Sequence, residues 1–419
     1  MAEIHRAYKV ELDPNNTQRT RLRQHAGAAR WAFNWGLARK ISVFKETKKS
    51  PNNIALHREL NLLKKTSKDE GGVPWMYEVS KCAPQEALRD LDRAFSNFFR
   101  RCKKGSGKKG FPRFKSRHRS SNSFRLTGYI KAAKEGRYIQ LPRLGKIKLK
   151  EVGYLPEVSD NVKILSASLS ERAGRWFVSL SVKEKIPDPK PEQPRTKVVV
   201  GVDVGIKSLA VTSDGIVYEN PKALYKATRK LRKLQKSLSR KQKGSRNREK
   251  AKALLAKTFY RVSCIRKDAI HKATTSILQG TDVVVIETLN VQGMLKNHKL
   301  ARALSDASLS EFHRQIRYKA NWRGIEVVEA DRWFPSSKTC SGCGHVKEDL
   351  TLSERVYKCS ECALELDRDL NAAINLEKLA GSSPVTACGE DVSPFASPSG
   401  EQGAASVKQE PNYKSIPRY

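Results

Sequence analysis

The chain has 419 residues, of which 38% are hydrophobic, so it is long enough for two or three domains with buried cores. Its 81 Lys and Arg outnumber its 43 Asp and Glu, which gives a formal net charge of +38 and favours nucleic acid as a partner over a merely solvated basic surface. The sequence contains no apolar run of about 18 residues and no secretory leader pattern, so we expect no membrane partner and a cytoplasmic location.

The N-terminal half of the sequence predicts one strand, then helices, then a second set of strands. The first strand lies in residues 1–15, and apolar residues at helical spacing follow in residues 16–102. In residues 103–195, short alternating segments are separated by Gly and Pro turns, a pattern typical of a small β-barrel or sandwich. A basic, glycine-rich loop at 103–110 opens this part, and a proline-rich linker at 187–194 ends it.

The C-terminal half alternates strands with helices, which favours an α/β sheet. Apolar runs at 197–202 and 282–287 predict buried strands, and residues 304–322 predict a single helix followed by a strand. Residues 222–272 contain 19 Lys or Arg and two acidic residues in a helical pattern, which indicates a cationic surface. Residues 381–419 have little apolar content, and we expect a disordered tail there.

Four of the eight cysteines have the spacing of a zinc ribbon. Two Cys-x₂-Cys pairs are separated by 15 residues, and the tight turns of such pairs present four thiolates to one tetrahedral ion. We therefore expect a structural Zn²⁺ in residues 339–365. Its ligands would be Cys340, Cys343, Cys359 and Cys362. The scattered cysteines are interpreted as ordinary thiols: Cys82, Cys102, Cys264 and Cys388.

Three carboxylates stand where a charge is costly unless it binds a cation. Asp203 and Glu287 each end an apolar strand, and Asp369 stands at the beginning of a helix. If they converge at one edge of the sheet, they form an oxygen-rich site for Mg²⁺ or Mn²⁺. Taken singly, each has another interpretation: a turn residue, a lysine partner and a helix N-cap, respectively. Taken together, their order and flanking residues favour a metal-dependent nuclease.

The motifs around these residues resemble the TnpB family, transposon-encoded RNA-guided nucleases regarded as ancestors of type V CRISPR effectors. The segments that carry the resemblance are Gly201–Ile206, Ile286–Asn290, Phe334–Gly344 and Leu366–Ala373. Residues 85–92 and 111–115 also fit the N-terminal half of the family. The resemblance spans about residues 1–380.

This resemblance implies a multidomain α+β fold. An N-terminal oligonucleotide-binding-like β-barrel would carry a helical insert, and an RNase H-like (RuvC) α/β nuclease domain would be interrupted by the Cys₄ zinc ribbon. The implied divisions are residues 1–15 and 103–195 for the barrel, 16–102 for the helical recognition insert, 196–338 and 366–380 for the nuclease domain, 339–365 for the ribbon and 381–419 for the tail.

The resemblance also implies cleavage of double-stranded DNA beside a short transposon-adjacent motif, directed by a guide RNA from the transposon end. The three carboxylates would be the catalytic metal ligands. Lys81 and Gln85, expected on one side of the third helix, lie where the family reads the adjacent motif; the alternative is that they are ordinary solvated helix residues. Arg355 lies between the cysteine pairs, a position from which we expect it to contact a phosphate near the cut strand. The basic stretch would hold phosphates, although it could also be a merely solvated helix face. We expect one protein per RNA, in a prokaryotic cytosol near the nucleoid.

Three other functions compete with a guided nuclease. A nuclease-inactive, RNA-guided DNA-binding repressor is the nearest alternative, but such a relative would have lost a carboxylate, and this chain has all three. A strand transferase lacks support, because neither a catalytic Tyr site nor a separate integrase domain is recognisable. A zinc-ribbon transcription factor leaves the carboxylates at the strand ends unexplained.

Overall fold

A computed structural model describes residues 2–105, 110–117, 120–132, 136–156, 159–186, 197–351 and 354–382. The expected proline-rich linker and residues 383–419 of the expected tail lie outside the described residues. Within these ranges, no helix is both long enough and apolar enough to cross a membrane. The chain has a mixed α/β architecture in which two large sheets each pack with their own helices.

The first sheet has seven strands, and every neighbouring pair is antiparallel. The strands are β1 (Ala2–Asp13), β2 (Ser123–Leu126), β3 (Lys131–Ala132), β4 (Tyr138–Leu141), β5 (Gly145–Leu149), β6 (Val162–Arg172) and β7 (Arg175–Ile186). They lie in the order β2-β6-β7-β1-β5-β4-β3. Strand β1 pairs with β7 along nearly its whole length and with β5 at its end, so the N-terminal strand is fixed by segments far along the chain.

Three helices are inserted between β1 and β2. They are α1 (Asn16–Thr47), α2 (Asn53–Lys65) and α3 (Cys82–Lys103), with a short 3₁₀ helix at Pro74–Glu78. A capping box starts α1: Asn15 Oδ1 accepts from the N–H of Gln18 at 2.8 Å, and Gln18 Oε1 accepts from the N–H of Asn15 at 3.1 Å. Gly36 lets α1 approach α3 closely, because a Cβ there would lie 2.6 Å from Leu88 Cδ2.

One hydrophobic core joins this sheet to the inserted helices. Its members include Val10, Leu126, Ile139, Val178 and Leu180 from strands and Leu22, Leu37, Leu60, Leu88 and Leu91 from helices. The helices and strands therefore form one packed unit. The sequence predicted a small barrel or sandwich; the structure has a single seven-stranded antiparallel sheet, whose pairing runs from β2 to β3 over the described residues.

The second sheet has five strands of mixed direction. They are β8 (Val199–Asp203), β9 (Ser208–Thr212), β10 (Val217–Glu219), β11 (Val283–Glu287) and β12 (Glu326–Ala330). The order is β10-β9-β8-β11-β12. Strands β8, β11 and β12 are parallel, while β9 and β10 are antiparallel to their neighbours. The two predicted apolar runs are the adjacent parallel strands β8 and β11, which are apolar because both faces of the sheet are covered.

Helices cover both faces of the second sheet. The helices of this part of the chain are α4 (Ala223–Ser239), α5 (Arg246–Ile277), α6 (Val291–Met294), α7 (Ala301–Ala307), α8 (Leu309–Arg323) and α9 (Arg368–Ser382). On one face, Ile270 of α5 and Phe312 of α8 share a core with Val284 of β11. On the other face, Leu376 of α9 packs with Val285. Successive residues of β11 thus enter different cores, as expected for a central strand.

The prediction of one helix over 304–322 is wrong, because Ser308 separates α7 from α8. Ser308 has a φ of 57°, the left-handed conformation, and forms the C-cap of α7. The carboxylate of Asp306, which is 4% exposed, accepts hydrogen bonds from the N–H groups of Leu224 and Tyr225 at 2.9 and 3.0 Å. Asp306 therefore caps the start of α4, a tertiary contact that helical spacing cannot indicate.

Candidate functional site

Asp203 and Glu287 lie at the same edge of the second sheet. Strands β8 and β11 are parallel neighbours, with Ile286 opposite Val202. Each of these residues is followed by a carboxylate that ends its strand. The prediction that both carboxylates end buried strands is confirmed.

Asp369 approaches this edge because α9 packs tightly on β8. At Gly201, a Cβ would lie 2.0 Å from the carbonyl oxygen of Ala373 and 2.5 Å from the backbone nitrogen of Glu377. Only a glycine therefore allows the helix to lie against the backbone of β8. Asp369 is in the first turn of α9, and its charge acts on Asp203 at the end of that strand.

The three carboxylates share one electrostatic environment. Burial, then the Glu287 carboxylate, then the Asp369 carboxylate raise the pKa of Asp203 well above its ordinary value, and Arg368 acts in the opposite direction. Arg368 Nη2 lies 3.4 Å from Asp369 Oδ1. Repulsion thus outweighs the one compensating cation, so the donor set fits a hard divalent cation, which oxygen ligands bind well. Among the described residues, the group of potential metal ligands whose donor atoms all lie close together is that of the four cysteines.

Sequence reasoning missed one polar residue at this edge. The hydroxyl of Ser336 donates to Glu287 Oε1 at 2.5 Å, and Ser336 is 3% exposed. The only signal in the sequence is its place inside the segment Phe334–Gly344. No periodicity links a serine in a loop to a carboxylate 49 positions away.

The four cysteines are gathered as the spacing predicted. Their sulfur atoms lie within 4.8 Å of one another, with Cys340 Sγ 3.6 Å from Cys362 Sγ and Cys343 Sγ 3.6 Å from Cys359 Sγ. Four sulfurs bound tetrahedrally to zinc would be about 3.8 Å apart, given Zn–S bonds of about 2.3 Å. The donor set and its spacing fit Zn²⁺.

A small hairpin connects the cysteines to the carboxylates. Strands β13 (Val356–Lys358) and β14 (Glu365–Asp367) pair antiparallel, and β14 runs directly into α9. Tyr357 is fully buried beside the cysteines, and its hydroxyl donates to the carbonyl of Lys338 at 3.0 Å. The ribbon is therefore continuous with the helix that carries Asp369.

The three residues predicted to contact nucleic acid lie in two places. Lys81 is exposed and immediately precedes α3, and the N–H of Gln85 donates to its carbonyl at 3.4 Å, so the two residues are one helical turn apart. Arg355 is exposed, and its carbonyl accepts from the N–H of Arg368 at 2.8 Å. Arg355 is thereby close to the start of α9, whereas Lys81 and Gln85 belong to the first unit, which the seven-stranded sheet forms with α1 to α3.

The predicted cationic stretch forms a helical hairpin of α4 and α5. The two helices pack on each other, and the connection between them contains Gly244 with a φ of 86°. The guanidinium of Arg248 donates to the carbonyls of Leu238 and Lys241 at 2.7 and 2.8 Å, which satisfies the end of α4. The exposed cations of the α4–α5 hairpin include Arg229, Lys230, Arg232, Lys233, Lys236, Lys250, Lys252 and Lys257.

Family models match three parts of the chain. Residues 178–298 match OrfB_IS605, described as "Probable transposase", and residues 310–376 match the "Cas12f1-like, TNB domain". Residues 1–49 match a model described as "Helix-turn-helix domain". In the described part of that range, residues 2–49, the structure has one strand and one 32-residue helix rather than two helices.

Curated relatives match the chain over nearly its whole length. A protein of Streptomyces pristinaespiralis named "Putative RNA-guided DNA endonuclease" is 36% identical over 411 residues, which cover 98% of this chain and 97% of that protein. The chain belongs to the TnpB family. Its TnpB relative in Escherichia coli K12, named "Putative RNA-guided DNA endonuclease InsQ", is 31% identical and covers 97% of both chains. The family predicted from the motifs is therefore confirmed.

Among solved structures, the match to a Cas12f1–sgRNA–target DNA complex covers 89% of this TnpB-family chain and 99% of the matched chain. The TM-score is 0.33 and the sequence identity is 17%. A likeness this distant carries no argument about the site.

Proposed function

We propose that this protein is an RNA-guided DNA endonuclease of an insertion-sequence transposon, which cuts double-stranded DNA beside a short adjacent motif by metal-dependent phosphodiester hydrolysis. The observation that carries the proposal is the placement of Asp203, Glu287 and Asp369, which end two neighbouring parallel strands and begin the helix that packs closely on one of them. The names of relatives at 36% and 31% identity over nearly the full length support it.

The proposed nuclease domain is RNase H-like (RuvC). Its support is the strand order β10-β9-β8-β11-β12, with an antiparallel meander followed by parallel strands and with helices on both faces. The first sheet with α1 to α3 would be the oligonucleotide-binding-like barrel and its recognition insert. We propose the domain boundaries predicted from the sequence, with the ribbon at 339–365 between the two parts of the nuclease domain.

Two kinds of metal would serve this function. Asp203, Glu287 and Asp369 would hold Mg²⁺ or Mn²⁺, which when bound activates water and stabilises the leaving oxygen of the phosphodiester. The chain fixes these carboxylates at two strand ends and a helix start, elements that are more rigid than loops. The four cysteines would hold Zn²⁺, and because all four ligands are protein thiols, that ion would be structural.

A guide RNA and a target DNA duplex are the proposed partners, with one protein per RNA. The cations of the α4–α5 hairpin would contact phosphates, which fix position without reading sequence. Lys81 and Gln85, one turn apart at the start of α3, would read the adjacent motif. Arg355, close to the start of α9, would contact a phosphate near the cut.

The test is a cleavage assay on the full chain purified with the RNA that accompanies it. The substrates are plasmids that carry the DNA matching that RNA beside a randomised flank. We expect cutting of both strands in Mg²⁺, none in EDTA, a restricted set of cut flanks, and one zinc per chain by elemental analysis. Glu287→Gln should bind the same plasmids without cutting them, because it lacks one metal ligand.

Two outcomes would contradict parts of the proposal. Binding to matched DNA with no cutting in any divalent ion would favour the nuclease-inactive repressor instead. Cutting by Glu287→Gln at the rate of the unaltered protein would remove Glu287 from the metal site.

A further inference from the structure

One polar face of α9 holds the segment that precedes the ribbon. Asn371 and Asn375 are four residues apart, so they lie on the same side of the helix, and they are 0% and 5% exposed. Both side-chain amides donate to the carbonyl of Thr339 at 2.7 Å, and Asn375 also donates to the carbonyl of Ser336 at 2.8 Å. The helix thus provides the buried hydrogen-bond donors that this loop needs.

The same face also holds the first cysteine pair. The N–H of Ser341 donates to Asn371 Oδ1 at 2.8 Å, and the ammonium of Lys378 donates to the carbonyl of Ser341. Ser341 is the neighbour of Cys340. The segment from Ser336 to Ser341 is therefore bonded to α9 at both of its ends.

At the upstream end of this segment, the side chain of Ser336 contacts Glu287. Its hydroxyl donates to Glu287 Oε1 while its carbonyl accepts from Asn375. Glu287 otherwise ends a strand, where its side chain has several rotamers available. One helix therefore carries Asp369 itself and also fixes the serine that orients Glu287.

We propose that Ser336 is a positioning residue for the divalent-metal site and that Asn375 holds it in place. The inference rests on the proposed function, in which Glu287 is a metal ligand. The hydroxyl occupies one lone pair of Glu287 Oε1 and fixes the plane of the carboxylate. Groups that hydrogen-bond to a ligating carboxylate typically change metal affinity by about 10–100-fold when they are removed.

The test measures Mn²⁺ binding directly, by the electron paramagnetic resonance of free Mn²⁺ titrated with the full chain and its RNA. We expect Ser336→Ala to weaken binding by about 10–100-fold, Ser336→Thr to restore much of it, and Asn375→Asp to weaken it in the same direction. Ser337→Ala is the matched control. It removes a hydroxyl one position along the chain and leaves in place the Ser336 hydroxyl that donates to Glu287.

A second readout separates positioning from general damage to the fold. In the cleavage assay, Ser336→Ala should need more Mg²⁺ for half-maximal rate and should recover most of the rate at saturating Mg²⁺. The unfolding temperature of each variant shows whether it has folded. If Ser336→Ala does not fold, Asn375→Asp decides by the same titration.

The outcomes distinguish this inference from the proposed function. If folded Ser336→Ala and Asn375→Asp bind Mn²⁺ as tightly as the unaltered protein, the positioning role is overturned while the nuclease proposal stands. If the unaltered protein neither binds Mn²⁺ nor cuts DNA, the proposed function fails and this inference falls with it.

Discussion

At the scale of single residues, Asp203, a proposed metal ligand, is a site where function would oppose stability. Burial, Glu287 and Asp369 raise its folded-state pKa above the unfolded-state value, so the folded protein binds this proton more tightly than the unfolded chain. The contribution of Asp203 to stability is therefore largest at low pH and is lost as the pH rises from the unfolded pKa towards the raised folded pKa. Such opposition is common where charged ligands are brought together before the cation is bound.

We predict that Asp203→Asn abolishes cutting, retains RNA and DNA binding, and raises the unfolding temperature of the metal-free protein. The rise should be about 2–4 °C for each kcal/mol of relieved repulsion. Thermal unfolding in EDTA at mildly alkaline and at acidic pH measures it, and the gain should shrink at acidic pH, where Asp203 is neutral.

The control for this prediction is Asp268→Asn. It neutralises an exposed carboxylate 2.9 Å from Lys272, an ion pair one helical turn apart that contributes little to stability. A gain for Asp203→Asn that is the same at both pH values, or no larger than that of the control, would contradict the proposed repulsion.

At the scale of elements, the contact between β8 and α9 decides whether the third carboxylate reaches the other two. We predict that Gly201→Ala lowers the cutting rate at least about tenfold while RNA binding persists, because the new Cβ would lie 2.0 Å from Ala373 O and α9 must shift. A displacement of about 1 Å is enough to cost about a hundredfold in rate. Cleavage and RNA-binding assays on the same preparation check both parts.

Gly27→Ala is the matched control for this element. Gly27 lies within α1, and nothing stands within 4 Å of a Cβ built there, so alanine should stabilise the helix by about 0.5–1 kcal/mol. Full cutting activity of Gly201→Ala would mean that cutting does not depend on the close packing of α9 on β8.

The elements that the sequence predicted are those set by local patterns. Apolar runs predicted β8 and β11 with the carboxylates at their ends, and the Cys-x₂-Cys spacing predicted the thiol cluster. Contacts between distant segments were not predictable, because local periodicity does not encode them. Asp306 caps a helix 81 positions upstream, and an otherwise helical stretch is interrupted at Ser308. The Ser336 bond to Glu287 depends in the same way on how α9 packs.

At the scale of the whole molecule, cation–π contacts join the first sheet to the helices of the second unit. The Arg6 guanidinium lies 5.0 Å from the centre of a Trp322 ring in α8, and those of Arg172 and Arg175 lie 5.6 and 5.4 Å from the Tyr260 ring in α5. Because Tyr260 belongs to the basic hairpin, these contacts link the hairpin to the first sheet.

We predict that a triple variant, Arg229→Gln, Lys233→Gln and Lys236→Gln, weakens RNA binding and makes it less dependent on salt. If each side chain contacts a phosphate, the slope of log affinity against log salt should fall by about 2–3 in magnitude. A filter-binding titration over several salt concentrations measures that slope.

The control set for the hairpin has the same charge change at the end of α1 and just beyond it. The three exposed residues to be changed to Gln are Lys45, Lys48 and Lys49. If the slope of log affinity against log salt falls equally in both triple variants, the hairpin contributes to RNA binding only through general charge.

The order of the elements along the chain has a consequence for biosynthesis. Asp369 follows Glu287 by 82 positions, which a ribosome needs roughly 4–16 s to translate at about 5–20 residues per second. During this interval the backbone at Gly201 is not yet covered by α9. We therefore expect the nascent chain to complete its first unit and its cysteine hairpin before it can assemble all three carboxylates. If the three carboxylates form the proposed site, the chain would remain inactive on the ribosome until nearly all of its described structure has been made.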